Sequence, residues 1–494
     1  MCREFWKKFI GVFEKYWILS IVLLIWLFAG LSLYIGMKQS IWFDEAYSIM
    51  LAKHPINDLI HLTAIDVHPP VYYIFLHFWG NLFGFGELSL RLSSVIMMSV
   101  AIFIMAVFLK MVFSKRFAIF TTLFLCLSPM LVRYGFEIRM YAAATMISIL
   151  ATLILFLLDG ENQKLKRRIL QLIYAGLVAL GMLTLYYTIV IWLTHLAFLI
   201  YRAKKENRPI FKQDFWLVYI LSVIFFSPWF LTAIKQFTNG ALAPISERMT
   251  ITNIIGVFSF NFLYRPTWQL DQIGGLLILI FVITFVLLFA KTLKSRSKKT
   301  ELLMFLAIGP FMVEFMICLI APMYVERYLV YSAPFLIALI CYLLYKPKFK
   351  IVPVFYSLLL LILGIINLNQ IGNFNFQRMQ KPAIREVAKE INKNSQYKTQ
   401  PILADSPYEA IELSYYLNDN IYFYSPYDNL AGGYASLDKS KMQIKNKDEL
   451  KKFNCFNYVY YDENLKSSLD KTGFTKTAEI DHEHSLKSTV YCQK

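Results

Sequence analysis

Two adjacent carboxylates in the string IWFDEAYS, residues 41–48, are the first candidates for chemistry. Asp44 and Glu45 lie just beyond the first long apolar stretch of the chain. A carboxylate at a membrane surface can deprotonate an acceptor hydroxyl or amide, or hold a metal ion. The structural alternative has Asp44 capping a surface helix and Glu45 facing water. The string alone favours this alternative, because Asp is a common helix cap.

A second string, AIDVHPPVYY at residues 64–73, places Asp66 and His68 two positions apart. Side chains of these types can orient a substrate or the first carboxylate, and Pro69-Pro70 would stiffen the turn that holds them. The alternative is a solvated loop in which the prolines begin the next helix. No histidine spacing in this region resembles a dedicated zinc site, so no metal is assigned, and a divalent ion at the carboxylates stays open.

Arginine recurs beside glutamate and tyrosine in the strings RYGFEIRMY, residues 133–141, and VERYLV, residues 325–330. Both strings are predicted to be short turns on the outer side of the membrane. Guanidinium groups there can bind a phosphate through two parallel hydrogen bonds. The alternatives are interfacial anchoring by Arg and Tyr, or simple Arg–Glu pairing. With a further arginine at the outer start of the second helix, the candidate substrate-binding residues are Arg91, Glu137, Arg139, Tyr141, Glu326, Arg327 and Tyr328.

The composition indicates that membrane-spanning helices position these residues. Of the 494 residues, 57% are hydrophobic and 17% are charged, and the mean hydropathy is +0.49. Apolar stretches of about 17–25 residues recur as far as residue 373, each long enough to cross the hydrocarbon core as a helix. A soluble globular protein of this size does not need so much apolar sequence. We therefore expect a polytopic α-helical membrane protein.

The net charge of +17 arises almost entirely in the membrane portion. Residues 374–494 carry 17 Lys and Arg against 16 Asp and Glu, so nearly all of the excess precedes them. The basic residues flank apolar stretches, which is typical of cytoplasmic loops and accounts for the charge without nucleic acid as a partner. They form six clusters: the N-terminus and residues 110–116, 164–168, 202–212, 291–299 and 346–350.

Placing all six clusters in the cytoplasm requires an even number of crossings between successive clusters. About eleven transmembrane helices result, with the N-terminus inside, the C-terminus outside and the first helix kept as a signal anchor. Two outer segments, 37–90 and 235–273, are too long to be simple turns, and the first is predicted to be structured, with short helices along the membrane surface. The predicted spans are residues 17–36, 91–113, 117–133, 139–158, 169–186, 187–201, 214–234, 274–290, 302–320, 328–345 and 351–371, with 169–201 divided at Leu185-Tyr186-Tyr187 to keep the charge parity.

The composition changes at residue 374 to a charged stretch rich in Asn and Tyr, which predicts a second domain. We therefore divide the chain into a transmembrane domain at residues 1–373 and a small α/β domain outside the cytoplasm at residues 374–494. Cys455 and Cys492 both fall in this outer domain, where pairing is as well supported as free thiols. The predicted helices are 381–394 and 407–417, and the predicted strands are 401–404, 421–424, 457–461 and 488–492.

In combination, the strings resemble bacterial C-type glycosyltransferases, in the branch of the protein O-mannosyltransferases and the lipid A aminoarabinose transferase. The resemblance is clearest over residues 40–145, while the outer domain is similar only in size and position. The strings that carry it are FDEAYS, DVHPPVYY, ELSLRLSS at the start of the second helix, FEIRMYA, and ERYLVYSAP at residues 326–334.

The resemblance implies a bacterial membrane glycosyltransferase that moves a sugar, with inversion, from a polyprenyl-phosphate donor to an acceptor outside the cytoplasm. By analogy, Asp44 is the catalytic base and Glu45 supports acceptor or metal binding. Arg91, Arg139 and Arg327 would hold the phosphate. Family members differ in acceptor, so an envelope lipid, a glycan polymer and a protein all stay open. The expected partners are the donor lipid and the bilayer, and no nucleotide cofactor is expected.

Two other classes of function compete with the transferase. The first is a transporter or flippase of a lipid-linked sugar, because Glu314 is an acid within an apolar span and intramembrane acids often serve transport. Such a protein is expected to carry paired broken helices in its two halves, and no matching pair is visible in the sequence. The second is a surface-sensing or assembly protein, against which the presence of Asp44, Glu45 and the arginines counts.

Overall fold

The computed structural model describes most of the chain on both sides of one long gap. The described residues are 11–160, 163–210, 214–238, 297–322, 324–345, 351–373, 384–393, 398–417, 420–426, 442–460, 473–481 and 487–493, together with single positions between 250 and 290 and Leu469. Most of the predicted span 274–290 and most of the predicted outer segment 235–273 lie outside them.

The described secondary structure is mainly helical, with one sheet near the C-terminus. In chain order the helices are α1 Trp17–Lys38, α2 Phe43–Lys53, α3 Ile56–Ile65, α4 Val71–Phe83, α5 Glu87–Val112, α6 Lys115–Cys126, α7 Pro129–Phe136, α8 Tyr141–Gly160, α9 Lys164–Thr184, α10 Ile189–Lys205, α11 Phe215–Thr238, α12 Lys298–Ile320, α13 Ala333–Tyr345, α14 Ile351–Asn373, α15 Ile384–Lys393 and α16 Pro407–Tyr416. The strands are β1 Ile402–Ala404, β2 Ile421–Tyr424, β3 Gln443–Ile444, β4 Cys455–Tyr460, β5 Phe474–Asp481 and β6 Lys487–Gln493.

The polytopic membrane architecture predicted from the sequence is confirmed. Within the described residues, eight helices are long and apolar enough to cross a membrane, and a bent pair brings the number to nine. The division of residues 169–201 is also confirmed, because α9 ends at Thr184 and a short 3-10 turn at Tyr186–Thr188 leads into α10. The total of eleven crossings stays a prediction.

One predicted span is bent. Residues 117–133 were predicted as a single span, and the structure divides this stretch into α6 and α7, which meet at an angle of 64°. Pro129 at the first position of α7 has no N–H to continue the preceding helix. The Ser128 hydroxyl accepts a hydrogen bond from the Leu131 N–H and so caps the new helix. The Ser-Pro pair therefore ends one helix and starts another.

The chain divides into two compact units. The first consists of residues 1–36 and 91–372 and contains the long apolar helices. The second consists of residues 37–90 and 373–494, so the first outer segment shares a unit with the C-terminal segment.

The second unit contains a six-stranded sheet in the order β3-β2-β1-β4-β6-β5. The first four strands of this order pair in parallel, and β6 runs antiparallel to both β4 and β5. The four predicted strands are confirmed, whereas β3 and β5 escaped prediction. Cys455 and Cys492 lie opposite each other on β4 and β6 and form a disulfide. The core of this sheet is made by Leu403, Ile444, Leu450, Phe456, Tyr458, Tyr460, Leu469, Phe474 and Tyr491.

The first outer segment is structured, as predicted, and consists of helices α2 to α4. Helix α4 begins directly after Pro69-Pro70 and ends at Gly84, whose φ of 84° suits glycine in a helix-terminating turn. Helix α2 packs against α4 on one side and against α16 of the C-terminal segment on another. The Phe43 and Tyr408 rings stack across the second contact with centroids 3.7 Å apart.

Both ends of the first outer segment are bound to the C-terminal segment by hydrogen bonds. Arg385 donates to the carbonyl oxygens of Met37 and Gln39 at the start of the segment, and to the Glu87 carboxylate at its end, at 2.6 Å. The Tyr416 hydroxyl accepts a hydrogen bond from the Ile41 N–H at 2.7 Å. A guanidinium bonded to a carboxylate and two carbonyls fixes position strongly, because its donors form a planar fork.

Candidate functional site

Helix α2 gives its two neighbouring carboxylates different environments. The Glu45 side chain is fully buried, and its Oε2 accepts a hydrogen bond from the Trp42 N–H at 3.3 Å. Glu45 therefore supplies the reciprocal half of a capping box at the start of α2. The interpretation in which Glu45 faces water and Asp44 caps the helix is wrong, because Glu45 occupies the position from which a side chain can reach back to the cap.

Asp44 is half-buried in the first turn of the same helix. Its carbonyl oxygen accepts a hydrogen bond from the Ser48 hydroxyl at 2.7 Å. The positive end of the helix dipole favours a negative charge in this turn. Asp44 thus stays partly accessible at the positive end of the helix. Among the described residues, no group of three or more His, Cys, Asp and Glu side chains is arranged to hold a metal ion.

Asp66 and His68 form a buried pair at the end of α3. The His68 Nδ1 lies 3.2 Å from the Asp66 Oδ2, and Asp66 is only 2% exposed. Burial raises the pKa of Asp66, but the hydrogen bond and charge of His68 outweigh it, helped by the Val67 N–H and the nearby Tyr47 hydroxyl, and the net pKa is lowered. Because Tyr47 belongs to α2, this pair lies against the helix that carries Asp44 and Glu45.

The first unit contains a group of buried charges around one aromatic ring. Arg91 is fully buried, its guanidinium lies 5.5 Å from the Phe136 ring centroid, and its Nη1 makes a long contact of 3.5 Å with the Phe136 carbonyl oxygen. The Arg133 guanidinium also lies 5.5 Å from this ring, and its Nη2 is 3.8 Å from the Glu137 Oε2. Two guanidiniums and one carboxylate leave an excess of positive charge, which favours an anion.

Tyrosines join two of the predicted substrate-binding strings. The Tyr141 ring lies 6.2 Å from the Tyr328 ring, which in turn lies 4.6 Å from Tyr187. Arg139 is buried two residues before Tyr141, and the Arg327 guanidinium stands 5.7 Å from the Tyr328 ring centroid. The structure therefore brings the strings at 133–141 and 325–330 together. Glu326 starts the 3-10 helix Glu326–Ser332, and its side chain lies outside the described residues.

The predicted short turns are in part helical: residues 137–140 form the turn between α7 and α8, and the rest of the first string belongs to the helices. Residues 133–141 are all buried, and their first four positions belong to α7. Residues 326–332 form a 3-10 helix that continues directly into α13. Buried guanidiniums do not anchor a protein at the membrane surface, so the interfacial interpretation of Arg133 and Arg139 does not apply. Simple pairing of Arg133 with Glu137 is observed.

Two residues of these clusters escaped the sequence analysis. Phe136 receives both the Arg91 and Arg133 guanidiniums, and Tyr47 lies near Asp66. Signals for both were present, because Phe136 lies between Arg133 and Arg139 in RYGFEIRMY and Tyr47 lies one helical turn beyond Asp44. An aromatic ring beside an arginine is too common in membrane helices to be selected from sequence alone.

The chain is similar in sequence to one family profile and in structure to solved glycosyltransferases. A family profile described as dolichyl-phosphate-mannose-protein mannosyltransferase matches residues 67–231. ArnT from Cupriavidus metallidurans bound to undecaprenyl phosphate superposes with a TM-score of 0.67 at 13% identity, covering 97% of this chain and 98% of ArnT. The chain has the C-type glycosyltransferase fold. A search by sequence among curated proteins finds no match.

The C-type glycosyltransferase fold extends to more distant structures. The oligosaccharyltransferase AglB from Archaeoglobus fulgidus, in complex with an inhibitory peptide and a dolichol-phosphate, superposes with a TM-score of 0.53 at 12% identity. The match covers 97% of this chain and 74% of AglB. The resemblance drawn from FDEAYS, DVHPPVYY and FEIRMYA is thereby confirmed at the level of the superfamily fold, which supports a multi-pass membrane protein.

Proposed function

We propose that this protein is a membrane glycosyltransferase that moves a sugar from a polyprenyl-phosphate donor to an acceptor outside the cytoplasm. The observation that carries the proposal is the end-to-end match to ArnT, whose crystal structure holds undecaprenyl phosphate. The mannosyltransferase profile over residues 67–231 supports the same reaction class from the sequence. An envelope lipid, a glycan polymer and a protein are all chemically suitable acceptors, since each offers a hydroxyl or amine nucleophile.

Asp44 is the proposed catalytic base. Its carboxylate takes a proton from the acceptor as the acceptor oxygen or nitrogen attacks the anomeric carbon. The new glycosidic bond forms while the bond from the anomeric carbon to the phosphate oxygen breaks, and the lipid phosphate leaves with the electron pair. A single displacement of this kind inverts the sugar configuration. The half-buried position of Asp44 suits a base that must reach the acceptor yet keep its charge.

Arginines are proposed to stabilise the departing phosphate. Arg91, Arg139 and Arg327 are the candidates from sequence, and Arg133 joins them because it shares the Phe136 ring with Arg91. The donor is a phosphodiester with one negative charge, and the departing phosphate monoester gains a second one as the bond to the sugar breaks. Preorganised cations therefore bind the transition state more tightly than the substrate. The remaining candidates, Asp66, His68, Glu137, Tyr141, Glu326 and Tyr328, are proposed to shape and line the substrate sites.

Glu45 is proposed to act through the helix rather than on the substrate. Its carboxylate is buried and bonded to the Trp42 N–H, so it fixes the first turn from which Asp44 projects. Positioning of this kind matters because a displacement of about 1 Å at a reacting group can lower a rate by about 100-fold.

The test of the proposal is release of polyprenyl phosphate from a synthetic polyprenyl-phosphate sugar by the purified protein in detergent. The wild-type chain should release the lipid phosphate, and Asp44→Asn should lower turnover by about 100-fold or more, on the scale of losing a general base. Asp58→Asn is the matched control, because Asp58 is an exposed acid in the neighbouring helix α3. Both variants should unfold at the wild-type temperature.

Two outcomes would reject this assignment. Wild-type-like turnover by Asp44→Asn would remove Asp44 from the mechanism. Transport of an intact lipid-linked sugar across vesicles, with no release of polyprenyl phosphate in detergent, would instead identify a transporter. In that case Glu314, which is buried in α12 and accepts a hydrogen bond from the Cys318 thiol at 3.8 Å, would be the first residue to replace.

The proposed location is the bacterial cell membrane, with the N-terminus in the cytoplasm and the C-terminal segment outside. The six basic clusters support this orientation through the bias of cytoplasmic loops toward Lys and Arg. The Cys455–Cys492 disulfide supports it independently, because disulfides persist in compartments outside the reducing cytoplasm.

A further inference from the structure

Described residues from three of the six basic clusters line one cavity in the first unit. The cavity has a volume of about 790 Å³ and is lined by residues of α8 to α12. The clusters at 164–168, 202–212 and 291–299 are separate in sequence, and the proposed transferase mechanism uses none of them. Their lining cations are Lys166, Arg167, Arg202, Arg208, Lys298 and Lys299.

The wall of this cavity is apolar. Leu170, Phe198, Val218 and Leu302 contribute side chains from four different helices, and Tyr174 adds a buried ring. Ile169 also lines the cavity although half of its surface is exposed, which places part of the wall at the surface of the unit. An apolar wall below a charged rim matches an amphipathic ligand, since each part of the ligand keeps the environment that it prefers.

The charged rim has more cations than acids. Asp159 and Asp214 are the only acids that line the cavity in the part of the chain that the structure describes. Asp159 lies 2.5 Å from the Lys298 Nζ and 3.7 Å from Arg202, and Asp214 lies 3.3 Å from Arg167. A neutral rim would not select an anion, but this one has a surplus of positive charge.

Lys166 and Lys299 contribute part of this surplus of positive charge, whereas two of the lining arginines are paired with an acid. Arg202 and Arg208 both pair with Glu206 beside the cavity. Among the described residues, Lys166 and Lys299 lie within 4 Å of no carboxylate oxygen. Within the described ranges, their ammonium groups can therefore bind a ligand.

We propose that this cavity binds an anionic membrane phospholipid, with its phosphate at the lysines and its acyl chains along the apolar wall. Basic pockets between membrane helices on the cytoplasmic side favour such head groups. The charge pattern predicts that all three clusters face the cytoplasm, so the ligand comes from the cytoplasmic leaflet. The volume lies within the range of small-ligand pockets and accommodates a head group with the first part of two chains.

The test is a titration of the delipidated full chain with dioleoyl phosphatidylglycerol, followed by native mass spectrometry. The wild-type chain should retain phosphatidylglycerol in preference to dioleoyl phosphatidylcholine. The double variant Lys166→Gln/Lys299→Gln should weaken phosphatidylglycerol binding by about 25-fold, since one cation near an anionic lipid changes affinity by about fivefold. Both lysines are exposed, so folding should be retained.

The matched control is Lys115→Gln/Lys204→Gln, which removes two exposed lysines from basic clusters without touching the cavity lining. It should leave the affinity unchanged. Equal retention of phosphatidylglycerol and phosphatidylcholine by the wild-type chain would overturn the proposal, as would equal losses in the two double variants. Preferential retention of undecaprenyl phosphate that depends on Lys166 and Lys299 would overturn it too, by assigning the cavity to the sugar carrier.

Discussion

The adjacent residues Asp44 and Glu45 lie in the same first turn of helix α2 but have different environments. Glu45 points back to the start of α2 and accepts the Trp42 N–H, whereas Asp44 stays partly open. Burying a carboxylate destabilises the fold unless the carboxylate is hydrogen-bonded. The hydrogen bond from the Trp42 N–H is therefore what stabilises Glu45 in its buried position. The proposed catalytic role therefore belongs to Asp44.

This division predicts different effects for two replacements of Glu45. Glu45→Ala should lower the free energy of unfolding by about 1 kcal/mol, because it removes a cap and leaves the Trp42 N–H without its acceptor. Glu45→Gln keeps a carbonyl oxygen for the same bond and should cost less. Thermal unfolding in detergent measures both, and equal losses for Glu45→Gln and Glu45→Ala would show that the charge, not the hydrogen bond to the cap, matters.

The Asp66–His68 pair predicts a stability that depends on pH. The folded-state pKa of Asp66 lies below its ordinary value, so the pair stabilises the fold above the unfolded pKa of about 3.9 and ceases to do so as pH falls through the folded value. Asp66→Asn should lower the free energy of unfolding by about 1.5–3 kcal/mol at pH 7, on the scale of a charged hydrogen bond. The deficit should shrink below about pH 4. A deficit that is constant from pH 7 to pH 3 would contradict this origin.

At this scale the sequence located the candidates but not their surroundings. Asp44 and Glu45 are adjacent letters, and only the position of the helix start decides which of them caps it. Helix boundaries inferred from sequence are uncertain by a few residues, and a shift of one residue exchanges the two roles. The Asp66–His68 contact was easier to anticipate, because two residues in a Pro-stiffened turn have little freedom to separate.

At the scale of elements, the close approach of α1 and α7 supports the buried guanidiniums. A Cβ atom at Gly36 would lie 2.9 Å from the Phe136 Cγ and 3.0 Å from its Cβ. Phe136 is also the ring that receives Arg91 and Arg133. Because Gly36 has no side chain, the Phe136 ring can lie between helix α1 and the Arg91 and Arg133 guanidiniums.

Gly36→Ala should consequently destabilise the protein by about 1–3 kcal/mol, the usual cost of overpacking, and should lower transferase activity as Phe136 shifts. Gly30→Ala in the same helix is the control, because an added Cβ there meets nothing within 4 Å. Thermal unfolding and donor turnover should be measured for both. Equal behaviour of the two variants would show that the Gly36 contact has no special importance.

Charge parity predicted one helix boundary that hydropathy alone would have missed. Residues 169–201 contain too few residues for two ideal spans, yet basic residues at both ends require two, and the break falls at Leu185 to Thr188. The bend between α6 and α7 was not predicted, because an apolar stretch interrupted by Ser-Pro often continues as a kinked helix. Whether the chain continues as one kinked helix or starts a second helix in another direction depends on how the stretch packs against its neighbours.

On the scale of the whole molecule, the second unit combines residues from two distant parts of the chain. The sequence predicted its strands from alternating apolar residues but assigned residues 37–90 to the transmembrane domain. No local pattern reveals that α2 packs on α16, because the contact depends on the Phe43–Tyr408 stack and on hydrogen bonds between residues far apart in sequence. Strands β3 and β5 were missed because β3 has two residues and β5 alternates with charged side chains.

The disulfide predicts a redox-dependent stability of this unit. Cys455→Ser/Cys492→Ser should lower the free energy of unfolding of the sheet by about 2–4 kcal/mol, because the bridge restricts a loop of 37 residues in the unfolded chain. A reductant should lower the melting temperature of the wild-type protein to that of the double variant. It should leave the melting temperature of the variant unchanged. An equal response of the variant to reductant would place the effect elsewhere.

The bonds between the first outer segment and the C-terminal segment also impose an order on biosynthesis. Ile41 and Tyr416 are separated by 375 residues, so α2 leaves the ribosome long before its partner α16 exists. At about 5–20 residues per second, the interval is roughly 20–75 s. During that time the helix that carries Asp44 lacks the surface it packs on, so the proposed active centre can mature only after translation is nearly finished. A chain that stops short of α16 would insert its first helices but leave this carboxylate without its support.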